Sequence, residues 1–272
     1  NVRALERLSA ERSLNRAFER EEFRLNYQPQ VDLGNGEIHG AESLLRWTHP
    51  DLGPVSPAAF VRLLEDTGMM LPVGEWVLMR TCQQIQAWGK AGLVSPRAAV
   101  NLSGRQFNDP SFLRSVERVL DKTGFSADRL CFEISESIIM QDVPAALATM
   151  NQLCEIGIRF TVDDFGTGYS SLADLQNLPI HTLKIDRSFV GTMTRNNDHM
   201  GIVRAAIDLA RNLGFKVMAE GVEDEHTYAM LVGLRCDMAQ GFYIGKPQDP
   251  AQLALQLREP LMASVPRYGV GL

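Results

Sequence analysis

The sequence predicts an α/β protein folded as one TIM-like (β/α)8 barrel, modified by one antiparallel strand near the N-terminus. Its 272 residues are close to the roughly 250 residues typical of such a barrel. Short apolar runs alternate with helical patterns at the spacing of βα units, which produce parallel sheets. Polar residues end these runs along the whole chain, whereas an open doubly wound sheet would gather them at one switch point.

The elements follow in chain order from the apolar periodicity. An amphipathic helix is predicted over 3–19, then a strand ending at Val31, a tight turn at Gly34–Gly36 and a strand over Ile38–Leu45. The two strands are predicted to form an antiparallel hairpin. Further on, predicted helices cover 57–66, 72–91, 111–122, 143–155, 169–176, 199–213 and 224–232, and predicted strands cover 97–102, 129–134, 158–163, 181–185 and 215–219.

We divide the chain into a helical linker over 1–20, the barrel over 21–262 and a C-terminal tail over 263–272. The chain opens at Asn1 without a start methionine and runs directly into the amphipathic stretch. We therefore expect a domain of a longer protein with N-terminal regulatory domains, which could include a membrane anchor.

Composition excludes several classes of protein. The net charge of −6 argues against binding to nucleic-acid polymers. No apolar run approaches the roughly 20 residues of a membrane span, and no signal peptide is visible. The four cysteines form no CxxC pair, so we expect buried free thiols, with Cys131 and Cys154 in apolar surroundings. We expect a cytoplasmic domain without membrane contact of its own.

The apolar runs carry the functional signal, because each of seven ends on a charged or amide residue. These end points are Glu42, Asn101, Glu133, Asp163, Lys184, Glu220 and Gln240. The four carboxylates and the amide of Asn101 provide five of the oxygen donors that hard divalent cations prefer. The carboxyl ends of barrel strands surround one mouth, so the sequence predicts a metal-dependent active site there.

The adjacent aspartates Asp163 and Asp164 are the strongest local indication of a metal site. Two adjacent carboxylates repel each other unless a cation neutralises them, and a two-metal site can use both. The alternative is a pair that only opens a turn and caps a helix. Asp164–Gly166 also matches the kinase magnesium motif, but the chain has no H-R-D loop, and Gly166–Gly168 lacks the third glycine of a dinucleotide loop.

Taken together, the motifs resemble the EAL domain family, the cyclic di-GMP phosphodiesterase module of bacterial signalling proteins. The resemblance runs from Tyr27-Gln28-Pro29 through Gln240-Gly241. It is carried by Glu42-Ser43-Leu44, Asn101-Leu102-Ser103, Glu133-Ile134-Ser135-Glu136, the 163–172 loop, Leu183-Lys184-Ile185-Asp186 and Glu220-Gly221-Val222-Glu223.

The resemblance implies two Mg2+ or Mn2+ ions and hydrolysis of cyclic di-GMP to linear pGpG by a water that the two cations activate. It implies that the first metal is held by Glu42, Asn101, Glu133 and Asp163, and the second by Asp163, Asp164 and Glu220. Lys184, Glu220 and Asp164 are the implied catalytic residues, with Lys184 beside the attacking water.

Other positions match supporting residues of the family. Gln28, Leu44, Arg46, Asp186, Glu223 and Gln240 are the implied substrate-binding residues. Glu136 matches the glutamate that holds the 163–172 loop; the alternative is that it only begins the next helix, where a carboxylate favours the dipole. The five histidines show no ligand spacing, so we expect structural or exposed roles for them.

The sequence departs from the family pattern at three positions. Ser43 stands where alanine is usual, His181 where aspartate is usual and Arg235 where glycine is usual. By strand alternation Ser43 points away from the lumen, so its hydroxyl needs a partner outside it. We expect a small effect on metal affinity, since every implied ligand is present.

Three functions remain open at this point. The first is an active cyclic di-GMP phosphodiesterase, working as a homodimer. The second is a catalytically silent receptor that binds cyclic di-GMP. The third, from fold analogy alone, is a barrel glycosidase with two carboxylates, which leaves Asn101, Lys184 and the aspartate pair unexplained.

Overall fold

A computed structural model of the chain describes residues 12–166 and 172–258. The strands are β1 (Phe23–Asp32), β2 (Ile38–His49), β3 (Gly53–Val55), β4 (Arg97–Asn101), β5 (Leu130–Ser135), β6 (Arg159–Phe165), β7 (Thr182–Ile185), β8 (Lys216–Ala219) and β9 (Met238–Ala239). The helices are α1 (residues 12–19), α2 (Pro57–Thr67), α3 (Met70–Lys90), α4 (Gly104–Phe107), α5 (Phe112–Thr123), α6 (Glu136–Ile139), α7 (Val143–Glu155), α8 (Leu172–Asn177), α9 (Arg187–Val190), α10 (Asn197–Leu213), α11 (Glu225–Gly233) and α12 (Pro250–Gln256).

The strands close into a barrel, in the order β1-β9-β8-β7-β6-β5-β4-β2 with a further β1–β2 pairing. Strand β1 is antiparallel to both of its neighbours, and β2 and β4 to β9 are parallel around the rest of the barrel. The predicted (β/α)8 barrel with one antiparallel strand near the N-terminus is therefore confirmed.

Strand β2 continues beyond its predicted end at Leu45 and reaches His49. Its pairing with β1 extends to Phe23 opposite Trp47, and β3 adds a further short antiparallel strand. Glu42 therefore lies inside β2 rather than at its end. The physical reason is that β1 and β2 project past the barrel rim as a ribbon, which is covered by apolar side chains.

Helix α1 contributes to this cover. Leu14 and Ala17 are buried beside Phe23, Trp47 and Phe60 in a cluster separate from the main core. Residues 1–11 of the predicted helix over 3–19, and the predicted tail over 263–272, lie outside the described residues.

The main core lies between the strands and the surrounding helices. Its fully buried side chains include Phe132, Phe160, Leu130 and Leu183, which face the helices because they alternate with lumen-facing residues. The described part of the chain contains no helix long and apolar enough to cross a membrane.

Several short elements are not predicted by the sequence. Helices α4, α6 and α9 each have four residues and follow strands β4, β5 and β7, and β3 and α12 were likewise not predicted. A single helical turn is too short to show the period of 3.6 residues. Local caps form these turns: the Ser103 hydroxyl accepts a hydrogen bond from the backbone N–H of Gln106, and Asp186 accepts one from Ser188.

Candidate active site

Lys184 lies at the centre of the barrel mouth and is fully buried. Its ammonium group is 2.7 Å from a carboxylate oxygen of Glu133 and also contacts Glu220. Glu42 and Asp163 are slightly more distant, at 3.9 Å and 3.8 Å. Carboxylates from four strand ends or strand interiors therefore converge on one lysine, as the polar pattern predicts.

Amide side chains form a second layer around these carboxylates. Asn101 donates a hydrogen bond of 2.6 Å to Glu42, and Gln240 donates to the other oxygen of the same carboxylate. Gln240 also contacts Gln28, at 3.1 Å. These amide hydrogen bonds fix the orientation of the Glu42 carboxylate. Asn101 donates through its side-chain nitrogen, so its side-chain oxygen takes no part in the bond to Glu42.

Gln30 also belongs to this amide layer, and it was not predicted as a site residue from the sequence. Its amide donates to Glu133 at 2.9 Å and to Gln240 at 3.0 Å. The signal that could have found it is strand alternation, because Gln28 and Gln30 are two residues apart on β1 and face the same side. Both are buried.

The carboxylates of Glu42, Glu133, Asp163 and Glu220 form a ring around Lys184. The pKa values in this ring follow from burial and from the single ammonium group. Burial lowers the pKa of Lys184, but the four surrounding carboxylates outweigh it and hold that pKa well above its ordinary value. Burial raises the pKa of Glu133 to about 8 and that of Glu220 to about 7. For Glu42 the burial effect is overcome by Lys184 and by the amide hydrogen bonds, so its pKa is lowered.

Asp164 occupies a strained backbone position beside Asp163. Its φ angle is 55°, in the left-handed region that non-glycine residues rarely adopt. Its backbone N–H donates to the Asp163 carboxylate at 2.9 Å. Burial, then the charges of Asp163 and Asp186, raise the pKa of the Asp164 carboxyl. Strain of this kind, worth about 1–3 kcal/mol, clusters at functional sites.

The donor types of the ring fit divalent cations. Four carboxylates and an amide oxygen are ligands that Mg2+ and Mn2+ prefer, and one ammonium neutralises only a quarter of the carboxylate charge. Within 12–166 and 172–258, however, no three His, Cys, Asp or Glu side chains are already arranged to hold a metal ion. Glu42 and Glu133 accept hydrogen bonds from the surrounding amides, and Glu133 and Glu220 contact Lys184.

Glu136 is buried at the start of α6. Its carboxylate accepts a hydrogen bond of 3.3 Å from the backbone N–H of Gly166, the residue at which the loop after the aspartate pair begins. The rest of that loop, residues 167–171, lies outside the described residues. Glu136 therefore both begins α6 and contacts the start of the loop, so the two roles considered for it are compatible.

The remaining predicted substrate-binding residues lie around the mouth. Leu44 and Arg46 follow Glu42 at alternate positions of β2 and are half-buried. The Arg46 guanidinium donates to the carbonyl of Leu45, and burial lowers its pKa. Asp186 caps α9, and Glu223 is exposed in the segment after β8.

The three departures from the family pattern lie away from this ring. The buried Ser43 hydroxyl donates to the carbonyl of Ala99 at 3.1 Å, so it has a partner outside the lumen. Arg235 has a φ angle of 59°, the region that favours glycine. His181 lies at the opposite end of the barrel, where it lines a cavity.

One expectation about the cysteines is wrong. All four are free thiols, but Cys131 lines the same lower cavity and its sulfur is 3.2 Å from the Thr161 hydroxyl. Its surroundings are therefore partly polar, because it shares the lumen face of β5 with Glu133.

Comparison with known proteins agrees with this geometry. The family model described as the EAL domain matches residues 11–247. The chain is 41% identical over 253 residues to MucR of Pseudomonas aeruginosa, named a bifunctional diguanylate cyclase/cyclic di-GMP phosphodiesterase, covering 93% of this chain and 37% of that protein. A cyclic di-GMP phosphodiesterase of the same organism is 39% identical over 247 residues, which is 90% of this chain and 42% of the relative.

Solved structures show the same similarity. The MucR phosphodiesterase in complex with c-di-GMP matches with a TM-score of 0.87 and 40% identity, over 90% of this chain and 99% of that one. The EAL enzyme Bd1971 in its cAMP-bound form matches with a TM-score of 0.86 and 32% identity, over 93% and 71% of the two chains. The first curated relatives are longer, and the chain spans 37% to 38% of their lengths. The barrel, the acidic mouth and these matches together show that the chain belongs to the EAL domain family.

Proposed function

We propose that this domain hydrolyses one phosphodiester bond of cyclic di-GMP and releases linear pGpG. The observation that carries the proposal is the ring of four carboxylates around the buried Lys184, in a chain 40% identical to a phosphodiesterase solved with c-di-GMP. A structural role alone would not explain so many acids on one buried lysine, because each buried carboxylate carries a desolvation cost.

Two divalent cations, Mg2+ or Mn2+, complete the site in this proposal. Glu42, Asn101, Glu133 and Asp163 would hold the first, and Asp163, Asp164 and Glu220 the second. When bound, such cations lower the pKa of a water molecule and neutralise developing negative charge on the phosphate.

Lys184 contributes a fixed positive charge next to this chemistry. Its position between Glu133 and Glu220 keeps it protonated, so it can stabilise an anionic nucleophile but cannot act as a general base. We assign Glu220 and Asp164 to positioning at the reacting phosphate. Glu220 has a raised pKa near neutrality, but a carboxylate that holds a cation cannot readily accept a proton as well.

Substrate contacts fall to the residues around the rim. Arg46 has a guanidinium fork suited to phosphate oxygens, and no ion pair holds it among the described residues. Gln28 and Gln240, together with Leu44, Asp186 and Glu223, would contact the rest of the nucleotide. Glu136 would hold the 163–172 loop through Gly166.

The full-length protein is proposed to be larger than this domain. The chain covers well under half of its first curated relatives, which fits N-terminal regulatory domains. We further propose that the domain works in the cytoplasm and as a homodimer, in which contacts near the loop after the aspartate pair set its conformation.

A second function, a silent cyclic di-GMP receptor, is favoured by one observation. In this structure the ammonium of Lys184 contacts Glu133 and Glu220 and lies within 4 Å of Glu42 and Asp163. A domain locked in that arrangement would bind the nucleotide without cutting it.

The deciding experiment is incubation of the purified domain with cyclic di-GMP and either Mg2+ or Mn2+, with products separated by chromatography. The enzyme predicts metal-dependent pGpG that disappears in Glu42→Ala and persists in Glu75→Ala, whose carboxylate lies in an exposed ion pair with Arg118. Nucleotide binding without any product would favour the receptor.

A further inference from the structure

The end of the barrel opposite the mouth contains a cavity of about 300 Å³. Residues at or beside the lower ends of the barrel strands line it, and these include the residues Asp32, His39, Arg97, Cys131, Arg159, His181, Lys216 and Asp237. His39, His181 and Lys216 are exposed, so the cavity opens to solvent. Its volume is at the lower end of the range for small-molecule sites.

One side of this lower cavity is basic. Arg97 and Arg159 lie on either side of Cys131 on adjacent strands, and His39 and His181 flank them. Arg97 donates one N–H to the backbone carbonyl of Asp128. Among residues 12–166 and 172–258, neither guanidinium makes an ion pair with a carboxylate.

Two of the three acidic residues of the lower cavity have partners other than the guanidinium groups. Asp237 forms an ion pair with Lys216 and accepts the backbone N–H of Val217 at 3.0 Å. Asp32 accepts the backbone N–H of Gly34 at 2.8 Å, within the β1–β2 turn. Three basic side chains, Arg97, Arg159 and Lys216, stand against three acidic ones, Asp32, Glu133 and Asp237, so the lining is formally neutral before any histidine is protonated. Because Lys216 is paired with Asp237 and Glu133 with Lys184, the two guanidinium groups are the cations of the described lining that have no ion-pair partner.

Burial and the neighbouring guanidinium groups both affect the titration of the cavity residues. Partial burial, then Arg97 among other charges, lowers the pKa of His39. Burial followed by Arg159 and Arg97 lowers the pKa of His181. Burial and the neighbouring Arg159 also lower the pKa of Arg97. A bound anion would relieve this mutual repulsion.

We propose that the lower cavity is a binding site for a small phosphate-class oxyanion, held by Arg97 and Arg159 with His39 and His181 as further donors. Two guanidinium forks can each donate paired hydrogen bonds to phosphate oxygens. Neutral imidazole rings supply one N–H donor each. The size of the cavity fits phosphate or pyrophosphate groups, the shared chemistry of inorganic phosphates and small phosphate esters.

The lower cavity is separate from the mouth. Gln30, Glu133, Thr161 and Met218 form its inner wall, and the Glu133 carboxylate is already engaged by Lys184 and Gln30. The metal-free mouth is lined by carboxylates, which repel free anions. Anion binding in the absence of metal therefore reports on the lower cavity, and it does not depend on the proposed hydrolytic activity.

The test is titration of the metal-free domain, in the presence of EDTA, with inorganic phosphate and separately with pyrophosphate. Isothermal calorimetry gives the affinity and phosphorus NMR detects the bound anion. We expect saturable binding that weakens about tenfold in Arg159→Gln and again in Arg97→Gln, the effect of losing one charge-assisted contact. Of phosphate and pyrophosphate, the anion that binds more tightly is the preferred ligand.

Two control variants separate this site from other basic surfaces. Arg118→Gln removes a guanidinium in an exposed ion pair and should bind as the parent does. Arg46→Gln removes the guanidinium at the mouth and tests whether the anion binds there instead. Circular dichroism checks that each variant is folded, and Arg159→Lys keeps the charge if Arg159→Gln fails to fold. Absence of saturable binding to the parent overturns the proposal, as does a loss of affinity in Arg46→Gln with none in the variants of the lower cavity.

Discussion

Replacement of Lys184 by methionine removes the cation of the acidic ring while keeping a side chain of similar length. The change leaves Glu42, Glu133, Asp163 and Glu220 without the ammonium that they share. Four carboxylates against one ammonium carry a net charge of −3 when all are ionised, and the variant would carry −4. The metal-free protein should therefore be destabilised.

The size of the effect follows from burial and distance. Removal of one partner of a buried ion pair costs about 3–5 kcal/mol, and a charge pair at 4 Å is worth about 4 kcal/mol at an effective dielectric constant of 20. Protonation of Glu133 and Glu220, whose pKa values are about 8 and 7, relieves part of the repulsion at lower pH. We expect a loss of about 3–5 kcal/mol in the free energy of unfolding above pH 8, and less at pH 6.

The catalytic effect should exceed the effect on substrate binding. A fixed charge beside the nucleophile acts mainly in the transition state, so turnover should fall by about 10²–10³ while nucleotide affinity changes little. Metal affinity should rise, because the variant removes a positive charge next to the proposed cation sites.

The assays are urea unfolding of the metal-free protein, steady-state hydrolysis and nucleotide binding with Ca2+ in place of the catalytic metal. Lys216→Met is the matched control, since Lys216 forms an exposed ion pair with Asp237 and should change stability by no more than about 1 kcal/mol. Unchanged stability together with unchanged turnover in Lys184→Met would refute the reasoning. A loss of affinity proportionate to the loss of turnover would make Lys184 a substrate anchor instead.

Three other perturbations test the site. The metal-free protein should lose stability as pH rises from 4.5 through about 8, because the folded chain keeps protons on Glu133 and Glu220 that the unfolded chain has released. In urea titrations, saturating Mg2+ should flatten this dependence of stability on pH, and a slope of opposite sign would contradict the prediction. Ser43→Ala removes only the hydrogen bond to Ala99, so unfolding free energy should change by about 1 kcal/mol or less and metal titration should show nearly unchanged affinity; a large loss of affinity would be inconsistent with a hydroxyl outside the lumen. Specific activity should rise with the dimer population on sedimentation analysis, and a flat activity across the monomer–dimer transition would remove the dimer proposal.

Much of the fold could be predicted because a parallel barrel repeats one physical pattern. Strands buried on both faces are apolar, and their lower and upper ends are marked by turns and polar residues. The positions of Asn101, Glu220 and Gln240 at or directly after strand ends follow from that pattern. Glu42 was also placed on the lumen face, although β2 continues seven residues beyond it to His49.

Other features depend on contacts that no local pattern encodes. The role of Gln30 comes from bonds to Glu133 and Gln240, which are distant in sequence. The basic side of the lower cavity requires residues at the starts of several strands to meet, and each of them is an unremarkable charged residue in its own segment. The carboxylates are oriented toward Lys184 by attraction between opposite charges. The strength of this attraction depends on the distances between the side chains, which residue types alone do not give.

The most direct test of the central claim is hydrolysis of cyclic di-GMP by this domain in water enriched in 18O, with Mn2+ or Mg2+ present. Attack by water on one phosphodiester predicts pGpG carrying one 18O in its terminal phosphate, seen by mass spectrometry, and no product after addition of EDTA. Unlabelled product would contradict attack by water. The complete absence of product, with cyclic di-GMP still bound, would contradict the phosphodiesterase and leave the receptor.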